Sequence, residues 1–321
     1  PDMRSAMYER LRSEGLHLNL WQHAFVHPES PLYSMIADGC GDYKVWGGKV
    51  PDFACSRTRD VFSEYQSREL VNDVTDGFKL DECDGSDYTR DWSFPNCSLF
   101  PSGMDGEQYH CMFGTLYART VMQALSGRKT FGQCRNAGAL AASLPFALYS
   151  DLYGHREFIR GCVNSGFSGM LWAPEVRHAK SAEDLIRRLQ TAVFSAQCMF
   201  NGWYCTEAPW VTFGCEDKVR ELFALRESLV PMLRRAYDLY REDGTPPVRA
   251  LVCDYTDDKR TWGIDDEYIF CGELIVAPMV EGEKSRKVYL PEGKWVDFFT
   301  NEPVDAGEFT YTEDNIPVYR K

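Results

Sequence analysis

Asp76-Gly77-Phe78-Lys79-Leu80-Asp81-Glu82-Cys83-Asp84 is a short extended run that ends in a cluster of carboxylates. Phe78 and Leu80 alternate with Lys79 and Asp81, the two-residue period of a β-strand. Upstream, residues 61–74 carry a helical pattern, and Leu16-His17-Leu18-Asn19-Leu20-Trp21 alternates like a second strand. Before that, Met3, Met7 and Leu11 recur at helical spacing and Gly15 closes the segment. Residues 28–60 are rich in Gly, Pro, Asp and Ser and read as a long loop excursion. Downstream come a second loop (84–106), a helix (108–126), and extended runs at 130–135 and 145–151. A helix near 154–164, a strand at 169–175, a helix at 181–195 and an apolar stretch at 196–204 follow. Strands alternating with helices predict a parallel sheet with crossover helices. The expected fold class is therefore α/β: a (β/α)8 TIM-type barrel with about six of its eight strands present, counted from Leu16. One long helix from Asp217 to Glu242 closes that part. After Gly244 short strands and turns predict an all-β sandwich, so the expected domains are 1–243 and 244–321.

The composition agrees with a globular chain: 321 residues, 44 % hydrophobic and 26 % charged. A net charge of −13 removes the general electrostatic basis for binding nucleic acid. No apolar run reaches the roughly 18 residues that a membrane-spanning helix needs. The twelve cysteines contain no C-x-x-C, and Cys111, Cys134, Cys162 and Cys198 lie in apolar segments. Reduced, buried thiols are expected, which favours a cytoplasmic protein without fixing the compartment. Homo-oligomerisation is left open. The opening Pro1-Asp2-Met3 and the two absent strands suggest an N-terminal segment of the same polypeptide upstream.

In a parallel barrel, functional side chains gather at the carboxyl ends of the strands. Those positions hold Trp21, Lys79 with Asp81 and Glu82, Arg135, Asp151, and Trp172 with Glu175 and Arg177. Carboxylates facing one another between aromatic walls suit glycoside hydrolysis, with one ionised to attack and one protonated to release the leaving oxygen. Plainer readings stand beside this one. Asp151 can cap the helix begun near Gly154, and Lys79 can form a simple ion pair with Asp81. Arg135 and Arg177 can be surface charges. Trp21 and Trp172 suit the core better than a sugar platform. His23 and His27 lie past a strand beside a proline rather than on a helix, so no metal is implied.

Several ordered motifs resemble glycoside hydrolase family 31. Lys79-Leu80-Asp81-Glu82 is similar to its K-x-D nucleophile strand followed by an acidic residue. The stretch from Arg128 through Arg135 to Tyr149-Ser150-Asp151 resembles R-S-x-x-G…W-S-G-D. Gly166-Phe167-Ser168-Gly169 through Trp172 resembles G-x-S-G-x-x-x-W. Gly272-Glu273-Leu274-Ile275-Val276-Ala277-Pro278 and Val288-Tyr289-Leu290-Pro291-Glu292-Gly293-Lys294-Trp295 follow the family's C-terminal phrasing most closely.

The resemblance implies an exo-acting retaining α-glycosidase that releases terminal sugars from an oligosaccharide or glycoside by double displacement. Asp81 would be its nucleophile, Asp151 its general acid/base, and no cofactor is needed. Lys79 and Arg135 are the cations at hand for Asp81. The chain departs from the family at two places. Pro174-Glu175-Val176-Arg177 replaces H-D-I-G-G, and the string from Phe194 to Cys198-Met199-Phe200-Asn201 lacks the arginine and histidine of F-x-P-x-x-R-x-H. Those lost groups grip glucose-like hydroxyls. The expectation is therefore an α-galactosidase-like enzyme, with an anionic substituent paired by Arg177 also in view. α-N-Acetylgalactosaminidase, α-glucosidase and α-xylosidase activities are the alternatives within the family. A non-catalytic carbohydrate-binding relative is the alternative outside it.

Overall fold

The computed structural model describes residues 3–71, 73, 75–83, 91–151, 153–203 and 205–321. Asp84, the last carboxylate of the opening cluster, lies outside them. The chain forms two compact units, Pro1–Leu148 and Tyr149–Lys321.

The first unit is built on β1 (Leu18–His23), β4 (Thr75–Asp81), β5 (Gly132–Cys134) and β6 (Phe146–Leu148), paired in that order and all parallel. The run that reads as one long loop contains a hairpin, β2 (Cys40–Val45) with β3 (Gly48–Pro51). Trp46 and Gly47 both take positive φ at its turn, which lets two residues reverse the chain. Helix α1 is Met3–Ser13, α2 is Leu32–Met35, α3 is Ser56–Glu69 and α4 is Gly106–Ala124. Helix α4 starts at a capping box: Asp105 accepts from the Gln108 N–H, and Gln108 accepts from the Asp105 N–H.

Register decides which residues share a face. Trp21 lies opposite Lys79, His23 opposite Asp81, and Lys79 opposite Gln133, so these polar residues stand in rows at the strand ends. Phe78, Leu80 and Cys134 point the other way and are fully buried. The core of this unit is aromatic: Phe53 stacks on Phe113 and Tyr117 and meets Phe62 edge-on, with centroids 5.0–6.1 Å apart.

The second unit holds α5 (His155–Ser165), β7 (Glu175–Val176), α6 (Ala182–Val193), β8 (Met199–Phe200), α7 (Pro209–Thr212), α8 (Glu216–Ser228) and α9 (Val230–Asp243). Strands β7 and β8 pair in parallel. Among the described residues the barrel strands thus number six, four in one unit and two in the other. The single helix expected over 217–242 is two helices. Leu229 separates them because Pro231, in the first turn of α9, has no N–H to continue α8.

Helix α9 ends at Gly244, and antiparallel strands follow. They are β9 (Val248–Ala250), β10 (Tyr268–Phe270), β11 (Leu274–Val276), β12 (Arg286–Leu290), β13 (Trp295–Asp297), β14 (Pro303–Val304), β15 (Gly307–Tyr311) and β16 (Val318–Arg320). Six of them form a sheet in the order β14-β13-β16-β11-β10-β9, and β12 pairs with β15. Ile269, Ile275 and Tyr319 are cross-strand partners in one row of the large sheet. They share a buried cluster with Val288, Leu290 and Tyr311 from the β12–β15 pair, which makes the sandwich core. Each such buried side chain contributes about 1.5–3 kcal/mol. On the opposite face Phe270 meets Phe194, just past α6, edge-on at 5.7 Å.

Candidate active site

Strand β4 delivers Asp81 to its carboxyl end, and the next residue stops the strand. Glu82 adopts a left-handed φ of 56°, a conformation that a non-glycine residue holds only under constraint. The turn aims the Glu82 N–H at Asp81 Oδ1, 2.8 Å away. Arg135, one residue past β5, donates to the same oxygen at 3.3 Å. The indole N–H of Trp21 donates to Oδ2 at 2.7 Å. Asp81 is only 8 % exposed, so these donors replace the water that an ionised carboxylate would otherwise bind.

Trp21 departs from the core role that suits an isolated tryptophan: it is 53 % exposed, with only its N–H committed to Asp81. His23 supports the ring edge-on at 5.5 Å. Burial draws the His23 imidazole below its ordinary pKa against the opposing pull of Asp81, so it stands neutral beside the nucleophile's strand. Its Nδ1 accepts the Phe25 N–H. Lys79 sits two residues before Asp81, on the same strand face. Arg135 is fixed from behind. A Cβ at Gly114 of α4 would lie 1.6 Å from the Asn136 carbonyl oxygen, so only glycine lets the chain after Arg135 pass this close to the helix.

In the second unit Asp151 accepts a hydrogen bond from the Tyr153 hydroxyl. Helix α5 begins at Gly154 with no side-chain cap, so Asp151 is not the N-cap that its position allows. The Tyr153 hydroxyl also accepts from Arg177 Nη1 at 2.6 Å, and the guanidinium lies 4.6 Å from the ring centroid. Arg177 is therefore not the surface charge that the plain reading made it. Trp172 is buried, and its ring lies where a Cβ on Gly161 of α5 would stand, so its visible role is packing. Glu175, on β7, is buried.

Asn201 donates its N–H to the Val176 carbonyl and accepts the Trp203 N–H through Oδ1. It lines a concavity of about 230 Å³ with Arg177, His178, Trp203, Glu207 and Phe213. Strand-end reasoning misses three participants: Tyr153, His178 and the Glu82 N–H. The only sequence signal for Tyr153 is its place two residues after an expected catalytic aspartate. No signal marks the positive φ of Glu82.

The glycosyl hydrolases family 31 TIM-barrel domain matches residues 1–236, and the family's C-terminal domain matches residues 244–321. The chain belongs to glycosyl hydrolase family 31. Its barrel is accordingly the TIM barrel of that family, followed by the family's C-terminal β domain. Among its relatives, the alpha-xylosidase of Emericella nidulans is 25 % identical over 96 % of this chain and 43 % of the relative. The isomaltosyltransferase of Sporosarcina globispora is 33 % identical over 98 % of this chain and 33 % of the relative. The alpha-glucosidase 2 of Bacillus thermoamyloliquefaciens is 28 % identical over 66 % of this chain and 29 % of the relative.

A cycloalternan-degrading enzyme from Trueperella pyogenes matches in fold with a TM-score of 0.84, at 23 % identity over 98 % of this chain and 49 % of that one. A family 31 sulfoquinovosidase from E. rectale matches with a TM-score of 0.85, at 18 % identity over all of this chain and 53 % of that one. The chain thus spans about half, or less, of the family members it matches. The expectation of an α-galactosidase-like enzyme finds no support among these relatives, whose names include an alpha-xylosidase and an alpha-glucosidase. Two replaced motifs were too little to decide a sugar, because a pocket can grip the same hydroxyl from another strand.

Proposed function

We propose that this chain carries the catalytic pair of a retaining α-glycosidase acting on α-glucosides or α-xylosides, with residues 1–243 as its barrel portion and 244–321 as its β domain. The observation that carries the reading is Asp81, buried at a strand end with donors on both carboxylate oxygens. In the first half-reaction an Asp81 oxygen bonds to the anomeric carbon as the glycosidic C–O bond breaks, and Asp151 gives its proton to the departing oxygen. In the second, Asp151 takes a proton from water. The water oxygen bonds to the same carbon, and the Asp81 carboxylate leaves.

The test uses the whole polypeptide and 4-nitrophenyl α-glycosides of gluco, xylo, galacto and N-acetylgalactosamino configuration. Hydrolysis of the gluco or xylo substrate is expected to be fastest. Asp81→Ala should abolish it, and added azide should restore turnover with a β-glycosyl azide as product, because azide takes the nucleophile's place in a single displacement. Sugar binding without turnover by the wild type would favour the carbohydrate-binding alternative. Activity in Asp81→Ala within tenfold of wild type would remove Asp81 from its role.

A further inference from the structure

The Tyr153 hydroxyl is held at both ends, donating to Asp151 Oδ1 and accepting from Arg177 Nη1. We propose that Tyr153, braced by Arg177, is a positioning residue for the acid/base: it sets the Asp151 carboxyl orientation and stabilises the carboxylate left after proton donation. This deepens the retaining-glycosidase reading and rests on it.

The clamp around Tyr153 is more than one contact. Arg177 covers the ring, and His178 meets its edge at 5.4 Å. His178 holds a left-handed φ of 55°, so a strained residue follows directly on the bracing arginine. The Tyr153 carbonyl accepts from Arg188 Nη1. Arg188 is itself buried on α6 and paired with Asp184 at 2.6 Å. Both the ring and the backbone are therefore tied to fixed partners, and the hydroxyl has little freedom to turn away from Asp151.

The charged groups facing Tyr153 are Asp151 and Glu175 on one side of the balance and Arg177 and Arg188 on the other, with His178 at the ring edge. Burial, then the hydrogen bond to Asp151, pushes the phenol above its ordinary pKa. It remains an O–H donor across any working pH.

The chemistry gives such a donor a definite moment to act. When Asp151 has passed its proton to the glycosidic oxygen it is a carboxylate, and a hydrogen bond to an ionised acceptor is worth about 1.5–3 kcal/mol. The guanidinium on the far side of the hydroxyl polarises the O–H toward Asp151. Tyr153 keeps its own proton in both half-reactions, so protons move only between Asp151, the leaving oxygen and water.

The experiment replaces Tyr153→Phe in the whole polypeptide, which keeps the ring and its stacking, and compares two substrates with the same sugar. One is an alkyl α-glycoside, whose leaving oxygen needs a proton. The other is an α-glycosyl fluoride, which depends far less on one. The expected result is a loss in kcat/KM of about tenfold or more on the alkyl glycoside and a much smaller loss on the fluoride. The alkaline limb of the pH profile should move to higher pH, because Asp151 gives up its proton less readily without the donor. Arg177→Gln should give the same pattern at reduced size, and it provides the test if Tyr153→Phe fails to fold. Equal losses on both substrates, with the alkaline limb unmoved, would overturn the inference alone. Wild type inactive on every α-glycoside, or Asp151→Asn fully active on the alkyl glycoside, would overturn the acid/base reading and this inference together.

Discussion

Replacing Trp21 with phenylalanine removes one atom group that matters, the indole N–H 2.7 Å from Asp81 Oδ2. Little else is lost, because the side chain is 53 % exposed and contributes modest burial. Stability should change by less than about 1 kcal/mol. Catalysis should change more. Asp81 is 8 % exposed, and deleting a donor to a nearly buried carboxylate costs about 1.5–3 kcal/mol, or about 10- to 100-fold. The remaining donors, the Glu82 N–H and Arg135, both address Oδ1 and cannot swing to Oδ2 without breaking their own geometry.

The sign with pH follows. The ionised Asp81 loses a partner and the protonated form does not, so protonation sets in at higher pH and the acidic limb of kcat/KM moves upward. The loss is therefore larger near pH 5 than near pH 7. The assay is kcat/KM across pH on an activated aryl α-glycoside, with a thermal melt alongside. A Trp21→Phe variant within twofold of wild type at every pH would refute the reasoning that this hydrogen bond holds the nucleophile.

Two further outcomes test the fold around the site. Glu267 in the β domain is buried beside Arg286, and burial pushes its carboxyl up to about 7 from an ordinary 4.5. The wild type should therefore lose stability as pH rises from 4.5 through 7, since the unfolded chain ionises first. Glu267→Gln should erase that slope, so that melting curves show its advantage over wild type growing from pH 5 to pH 8; a constant gap would contradict this. Gly114→Ala places a methyl 1.6 Å from the Asn136 carbonyl oxygen, a backbone atom that cannot yield cheaply. Destabilisation of about 2 kcal/mol or more is expected by thermal or urea unfolding; an unchanged melt would show that the loop after Arg135 moves freely.

Much of the fold could be read from periodicity because the strands are short and their burial is one-sided. The alternation in 77–81 places β4 closely, and the helix over 106–124 is legible from its apolar face. The hairpin at Cys40–Val45 and Gly48–Pro51 was hidden because its strands carry Gly, Asp and Lys, residues that also mark loops. The break at Leu229 was hidden because a proline in a first turn and a proline inside a helix look alike until the cap is seen. The site was legible as residue types at strand ends, and Asp81 with Arg135 is brought together as those positions implied. Trp21 was read toward the core because exposure of a single indole leaves no pattern in the sequence.

What the sequence by itself determined is the set of local choices: period-two strands ending in charge, helices between them, and an ordered series of motifs along the chain. These depend on neighbours within a few residues, and such information is written in the order of the residues. What only the tertiary structure decided is which donor meets which acceptor. Trp21 reaches Asp81 across 60 positions because β1 and β4 pair in one register. Arg177 reaches Tyr153 across 24 residues, from the end of β7 to the approach of α5. A hydrogen bond depends on tenths of an ångström and on direction, and those are fixed only when strands settle into register and the packed helices hold them there.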